Sequence, residues 1–240
     1  MTRTYLQIAA IGTMVTALAA GLLVPADAVQ GDVGRLMYVH VPGAWLAYLS
    51  FLVTLTASVA FLFTRKLRWD RIAVSSAEIG VYFTGLTIAL GMIWAKPIWG
   101  VWWTWDARLI LTAVMFFVYL GYLALRKTMT DPIVRAKRSA VFGILAAVQI
   151  PIVHFSVEWW RSLHQPATII RPDASPQIDP PLFAALMMGV AAFTVAYVAL
   201  MAVRIELARV DEAIDAAHNS NAVVAGDAVG RPNLKVEIHD

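Results

Sequence analysis

Three histidines stand close to tryptophan in this chain. His40 lies in the run Met37-Tyr38-Val39-His40-Val41-Pro42-Gly43, and His154 and His164 flank Trp159-Trp160. A neutral imidazole is a ready metal ligand, and two of them from separate segments can take one metal from both sides. His218 and His239 sit near the C-terminus among polar residues and read as solvated. The chain has no cysteine, which excludes disulfides, thiolate–metal sites, iron–sulfur clusters and thiol redox chemistry.

The tryptophans sharpen the question. Of nine in the chain, five fall between Trp94 and Trp105, in a segment reading Trp99-Gly100-Val101-Trp102-Trp103-Thr104-Trp105-Asp106-Ala107-Arg108-Leu109. Pro97 and Gly100 disfavour a regular helix at its start. Asp106 is placed to cap a helix that follows. Rigid aromatic faces suit a large planar apolar ligand, for which a porphyrin is the obvious candidate, since its faces stack on aromatic rings. The plainer alternative is an interfacial, re-entrant segment that only anchors a membrane bundle. With a porphyrin, His40 and His164 become axial ligands of the iron, and the propionates call for arginine. Arg35, Arg108, Arg161 and Arg171 are the candidates, and spacing does not choose among them, although Arg108 follows the tryptophans directly and Arg35 precedes His40 by five residues.

His154 is a different case. It stands four residues before Glu158, so on a helix the two share a face. The pair is either a buried hydrogen-bonded couple near a helix end, or His154 supports a ligand from behind or serves as an alternative one. A zinc or di-iron site built from His154, Glu158, His164 and His40 has too few carboxylates and leaves the tryptophans unexplained.

These residues must be carried by membrane-spanning elements. The chain is 60% hydrophobic and only 15% charged, against about 25% charged in ordinary soluble domains. Six stretches reach the roughly 20 apolar residues a transmembrane helix needs: about Leu6–Val24, Gly43–Phe63, Ile72–Trp94, Leu109–Leu125, Ser139–Val157 and Leu182–Val203. Their continuous apolarity excludes barrel strands, so the predicted fold is all-α, a polytopic bundle of six transmembrane helices over residues 1–203. Residues 204–240 form a tail, starting as an amphipathic helix and disordered at its end. Glu78 is the one charge within a span. It is a functional candidate by default, with a neutral, hydrogen-bonded packing role as the favoured reading. The first segment ends in Ala26-Asp27-Ala28, resembling a signal-peptide cleavage site, but its apolar run is long for one and a retained helix is expected.

Lysine and arginine set the orientation. Arg65, Lys66, Arg68 and Arg71 crowd one loop, and Arg126, Lys127, Arg135, Lys137 and Arg138 another, so these loops and both termini are expected to be cytoplasmic. His40, His164 and eight of the nine tryptophans then fall on the outward side. The net charge of +3 is modest, and no nucleic-acid partner is expected. The lipid bilayer is the first partner.

Taken together these residues resemble the haem-handling proteins of cytochrome c maturation, marked by an outward tryptophan-rich WWD domain flanked by histidines. Trp99–Leu109 matches the pattern W-G-x-W-W-x-W-D-x-R-L at every specified position. Within that superfamily the chain is most similar to the CcmC family, on Tyr38-Val39-His40-Val41-Pro42, Trp94–Leu109 and Pro151–Gln165, and the likeness extends over residues 30–203. The resemblance implies a site made of His40 and His164 as axial ligands, with Trp99, Trp102, Trp103, Trp105, Asp106, Arg108 and Arg35 around haem b that is held non-covalently and in transit. It implies a bacterial inner-membrane protein that presents haem at the periplasmic face to the chaperone CcmE, in a complex with the ABC transporter subunits CcmA and CcmB and the small subunit CcmD. It implies delivery rather than catalysis. No Walker A motif is present, so ATP hydrolysis would belong to a partner. Haem lyases of the same superfamily are longer and carry an extra histidine pair within the membrane, which this sequence lacks. The rival reading is an intramembrane metal-dependent enzyme using His154, Glu158 and His164.

Overall fold

A computed structural model describes residues 2–165 and 178–229. The described residues form helices: α1 (Thr2–Leu23), a short 3-10 helix (Asp32–Leu36), α2 (Met37–Thr64), α3 (Leu67–Trp99), α4 (Ala107–Lys127), α5 (Pro132–Ala147), α6 (Gln149–Trp159) and α7 (Pro180–Val229). Six spans are long and apolar enough to cross a membrane, with α5 and α6 together making the fifth. The chain is an all-helical multi-pass membrane protein.

The expected spans hold, but their ends move, and the reasons are local. α2 begins at Met37 rather than Gly43 and contains Pro42. Pro42 is the sixth residue of α2, past its first turn, so it takes one hydrogen bond out of the helix. Pro42 cannot donate to the Tyr38 carbonyl, and α7 closes on this point: a Cβ on Gly189 would lie 3.0 Å from Pro42 Cγ and 3.3 Å from the Tyr38 carbonyl oxygen. α3 runs through Pro97 to Trp99, so the helix does not stop where the proline suggested. It stops at Gly100, whose φ of 76° is the left-handed cap that glycine adopts freely. Residues 100–106 are a short connection between α3 and α4. Asp106 caps α4 as expected, accepting from the Arg108 backbone N–H at 2.9 Å.

The fifth span breaks at Val148, between α5 and α6. Pro151 withholds the hydrogen bond that the Ala147 carbonyl would receive, which is where a helix yields. The break separates two packing roles: α5 packs on α2 and α4, while α6 packs on α4. α7 has 50 residues, about 75 Å of helix at 1.5 Å per residue. It continues past the expected tail boundary at residue 204 and through Asn219–Asn221 as helix. The rest of the tail, 230–240, lies outside the described residues, as do Arg171 and His239.

Ionic contacts tie the helices together at the end of the bundle opposite the histidines. Arg126 of α4 holds Asp70 of α3 in a buried two-pronged pair at 2.6 and 2.7 Å. Arg3 and Arg71 reach Glu206 and Glu212 on α7. Glu78 has a charged partner rather than packing alone: it pairs with Arg204, whose Nε donates to it at 2.8 Å. The sequence reading ended the sixth span at Val203, one residue short of this partner. The central core is built on Leu46, Phe51, Met115, Tyr119 and Tyr122, with Phe51 stacked on Tyr119 at 3.6 Å between centroids.

Candidate functional site

At the other end of the bundle the helices enclose one cavity of about 590 Å³, within the about 300–1,000 Å³ range of small-molecule sites. Three stripes at helical spacing build its walls. α2 contributes His40, Ala44 and Tyr48; α3 contributes Thr84, Thr87, Gly91, Trp94 and Ile98; α4 contributes Arg108, Thr112 and Met115. Leu186, Met187 and Val190 of α7, His154 of α6 and His164 of the following loop add to it, so His40, His154 and His164 all face the same chamber.

His40 sits in the first turn of α2, not on a loop as the sequence suggested. Its Nδ1 is buried without a hydrogen bond of ordinary geometry, although the Thr87 backbone stands beside the ring. Trp94 meets it edge-on, 5.6 Å between ring centroids.

His164 is placed by the residues around it. Asp106 Oδ2 accepts the Leu163 N–H at 2.7 Å, and Ser162 Oγ accepts the His164 N–H at 3.0 Å. The ring Nδ1 lies 3.0 Å from the Gln165 carbonyl. In the tautomer that donates there, the Nε2 lone pair is left for a metal. Burial, then the charge of Arg108, pushes the His164 imidazole below its usual 6.5, so the neutral, ligating form is favoured. Burial would raise the Asp106 carboxyl, but hydrogen bonds from Ser162, Leu163 and Arg108 outweigh it and hold the group below the usual carboxylate range.

Arg108 reaches across to α6, donating to the His154 carbonyl at 2.6 Å. Its Nε is buried with no partner, on a residue that lines the cavity. A buried guanidinium with an unused donor is suited to a ligand carboxylate. His154 packs its ring against Tyr48 and Phe155, and Glu158 is exposed. Among the described residues no group of three or more His, Asp or Glu side chains is placed to hold a metal, so the rival set of His154, Glu158 and His164 does not assemble.

The expected site residues divide. His40, His164, Trp99, Trp103 and Arg108 line the cavity. Asp106 stands behind it and positions His164. Trp102 and Trp105 point outward, 53% and 83% exposed, with Trp105 edge-on to Trp103 at 6.2 Å. Arg35 turns away: its Nη1 donates to the carbonyls of Gly21, Leu22 and Val24 at the end of α1, and its Nε pairs with Asp32. The C-terminal carbonyls of α1 lack helical partners, and a cation satisfies them. Arg161 is exposed and does not line the cavity. Trp94, Tyr48, Gln30 and Thr87 were missed as site residues. Tyr48 was within reach, standing two helical turns from His40, whereas nothing in the sequence singles out Gln30.

Three imidazoles, a tryptophan wall and a half-used arginine over an apolar chamber suit a flat, apolar, metal-bearing ligand with carboxylate arms. Known proteins point the same way. The family model described as CcmC, heme exporter protein C, matches residues 1–219. A heme exporter protein C of Bradyrhizobium diazoefficiens is 39% identical over 187 residues, covering 76% of this chain and 71% of the relative. One of Haemophilus influenzae is 40% identical over 181 residues, covering 75% and 73%, and one of Escherichia coli K12 is 36% identical over 160 residues, covering 66% and 64%. With its fold, its tryptophan segment and nearly its whole length accounted for, the chain belongs to the heme exporter protein C family of cytochrome c maturation.

Proposed function

We propose that this chain holds haem b as a transient, non-covalent cargo between His40 and His164, at the periplasmic face of a bacterial inner membrane, and presents it to the haem chaperone CcmE. The observation that carries the reading is the single cavity lined by His40, His164, Trp99, Trp103 and Arg108. Haem iron takes neutral imidazole on each axial side, and the lowered His164 supplies that form. Trp99 and Trp103 would supply the aromatic wall for the porphyrin, and the free donor of Arg108 would take a propionate. Without a cysteine the chain cannot form thioether bonds to its cargo, which suits a carrier that must release it. The outward rings of Trp102 and Trp105 offer an apolar rim for the chaperone. Both termini lie in the cytoplasm on this reading, and CcmA, CcmB and CcmD are the membrane partners, the first of them supplying ATP hydrolysis. The protein delivers and does not catalyse.

Co-expression with a CcmE chaperone tests this. Haem stain on a denaturing gel should show haem bonded covalently to the chaperone with the wild-type chain, and lose that band with His40→Ala or His164→Ala. An undiminished band with both variants would remove the site from haem delivery.

A further inference from the structure

An axial imidazole must aim its lone pair in one direction, and outer hydrogen bonds usually fix that aim. His40 lacks such a bond of ordinary geometry at Nδ1. With only the Thr87 backbone beside the ring, packing has to contribute to its orientation, and α3 supplies the packing. A Cβ on Gly91 would lie 3.0 Å from His40 Cε1, so the missing side chain there is the seat of the ring. One turn further on, Trp94 stands edge-on to the imidazole at an interplanar angle of 80°. Trp94 is itself fixed from the far side, because its Nε1–H donates to Gln30 Oε1 at 2.8 Å. Gln30 is not on a loose strand. Asp27 Oδ1 accepts the backbone N–H groups of Val29 and Gln30 at 2.9 and 2.7 Å. The Asp27 carbonyl accepts from Gly31, whose φ is 60°. Arg35 then ties this connection to the end of α1.

We propose that Gln30 and Trp94 are positioning residues for the iron ligand: Gln30 locks the Trp94 indole, and Trp94 with Gly91 holds the His40 imidazole in its ligating orientation. This rests on the reading of His40 as a haem ligand. It also gives the connection between α1 and α2 a task, since α1 and the Arg35 clamp then bear on the iron site without touching it.

Haem titration and low-temperature electron paramagnetic resonance of the full-length purified protein test the proposal, because low-spin ferric signals report the orientation of axial imidazoles. Gln30→Ala and Trp94→Phe each remove one partner of the same hydrogen bond. Each should weaken haem binding about 10-fold, the lower end for loss of an outer partner, and shift the low-spin signal. The double variant should be no worse than either single one, since neighbours in one contact are not additive. Gln30→Glu, which keeps an acceptor for the indole N–H, should restore the wild-type signal. Gly91→Ala, which would put a Cβ 3.0 Å from His40 Cε1 and make the ring shift, should move the signal of the folded protein. A wild-type signal left unmoved by these substitutions, or losses that add in the double variant, would overturn the proposal alone. A wild-type protein with no bis-histidine signal would overturn the haem reading and this inference with it.

Discussion

Asp106 gives one carboxylate oxygen to each of two elements, the first turn of α4 and the loop that carries His164. Asp106→Asn replaces one acceptor oxygen by a donor, so one of the two N–H groups loses its partner. A charged hydrogen bond of this kind contributes about 1.5–3 kcal/mol, enough to loosen His164 without unfolding the bundle. The variant should retain haem with a partly five-coordinate spectrum, because His40 is untouched. A spectrum identical to wild type would show that the loop is held by other contacts. The lowered His164 predicts a pH dependence as well. Below 6.5 an unfolded chain takes up a proton that the folded site resists, so apo-protein stability falls as pH drops through that value. The ligating neutral form persists to lower pH, so haem affinity should stay level through 6.5 and fall only below it. A midpoint for haem release at 6.5 or above would place His164 outside the buried site. The chemistry of these residues was legible because imidazole, indole and guanidinium crowd one side of the sequence. What was not legible was direction. Trp102 and Trp103 are neighbours, yet one is outside and one lines the cavity. Arg35 has the right charge on the right side but serves the end of α1.

Helix ends depend on single residues, and each shift in them reshaped the site. Gly100 caps α3 directly after Trp99, which keeps Trp94 and Trp99 on helical geometry. Pro151 lies just past the break in the fifth span, and α6 carries the His154 carbonyl that Arg108 reaches. Apolar runs reveal that such helices exist, because length and hydropathy decide whether a segment crosses a bilayer. They do not reveal breaks within a run, nor the extension of α7 into charged sequence, which rests on pairs such as Arg71–Glu212 across two distant elements. The buried Asp70–Arg126 pair fastens α3 to α4 far from the cavity. Removing one partner strands the other charge, which costs about 3–5 kcal/mol. Asp70→Asn should therefore lower the melting temperature in detergent markedly while leaving the haem spectrum of the folded fraction unchanged. A melting temperature equal to wild type would show that the pair is dispensable for stability.

On the scale of the whole molecule, chemistry and charge are segregated. The cavity, eight of the nine tryptophans and the three facing histidines occupy one end, and the arginine-rich connections, with Trp69, occupy the other. A membrane gives that polarity a direction, since basic loops stay in the cytoplasm. A cysteine in place of Val29, which is 93% exposed, should react with a membrane-impermeant thiol reagent in intact cells. Thr130→Cys, at an exposed position between α4 and α5, should react only after the cells are opened. The reverse pattern would turn the site toward the cytoplasm and away from a periplasmic chaperone.

The assignment of His40 and His164 as the iron ligands is tested most directly by the visible absorption spectrum of haem-loaded protein with each cavity histidine removed in turn. Wild type should give a six-coordinate bis-histidine spectrum. His40→Ala and His164→Ala should each lose it and regain it in part with added imidazole, which refills the vacated axial position. His154→Ala should keep the wild-type spectrum, because its ring packs on Tyr48 and Phe155. Loss of axial ligation in His154→Ala, with His164→Ala still six-coordinate, would contradict the assignment and move the iron toward α6.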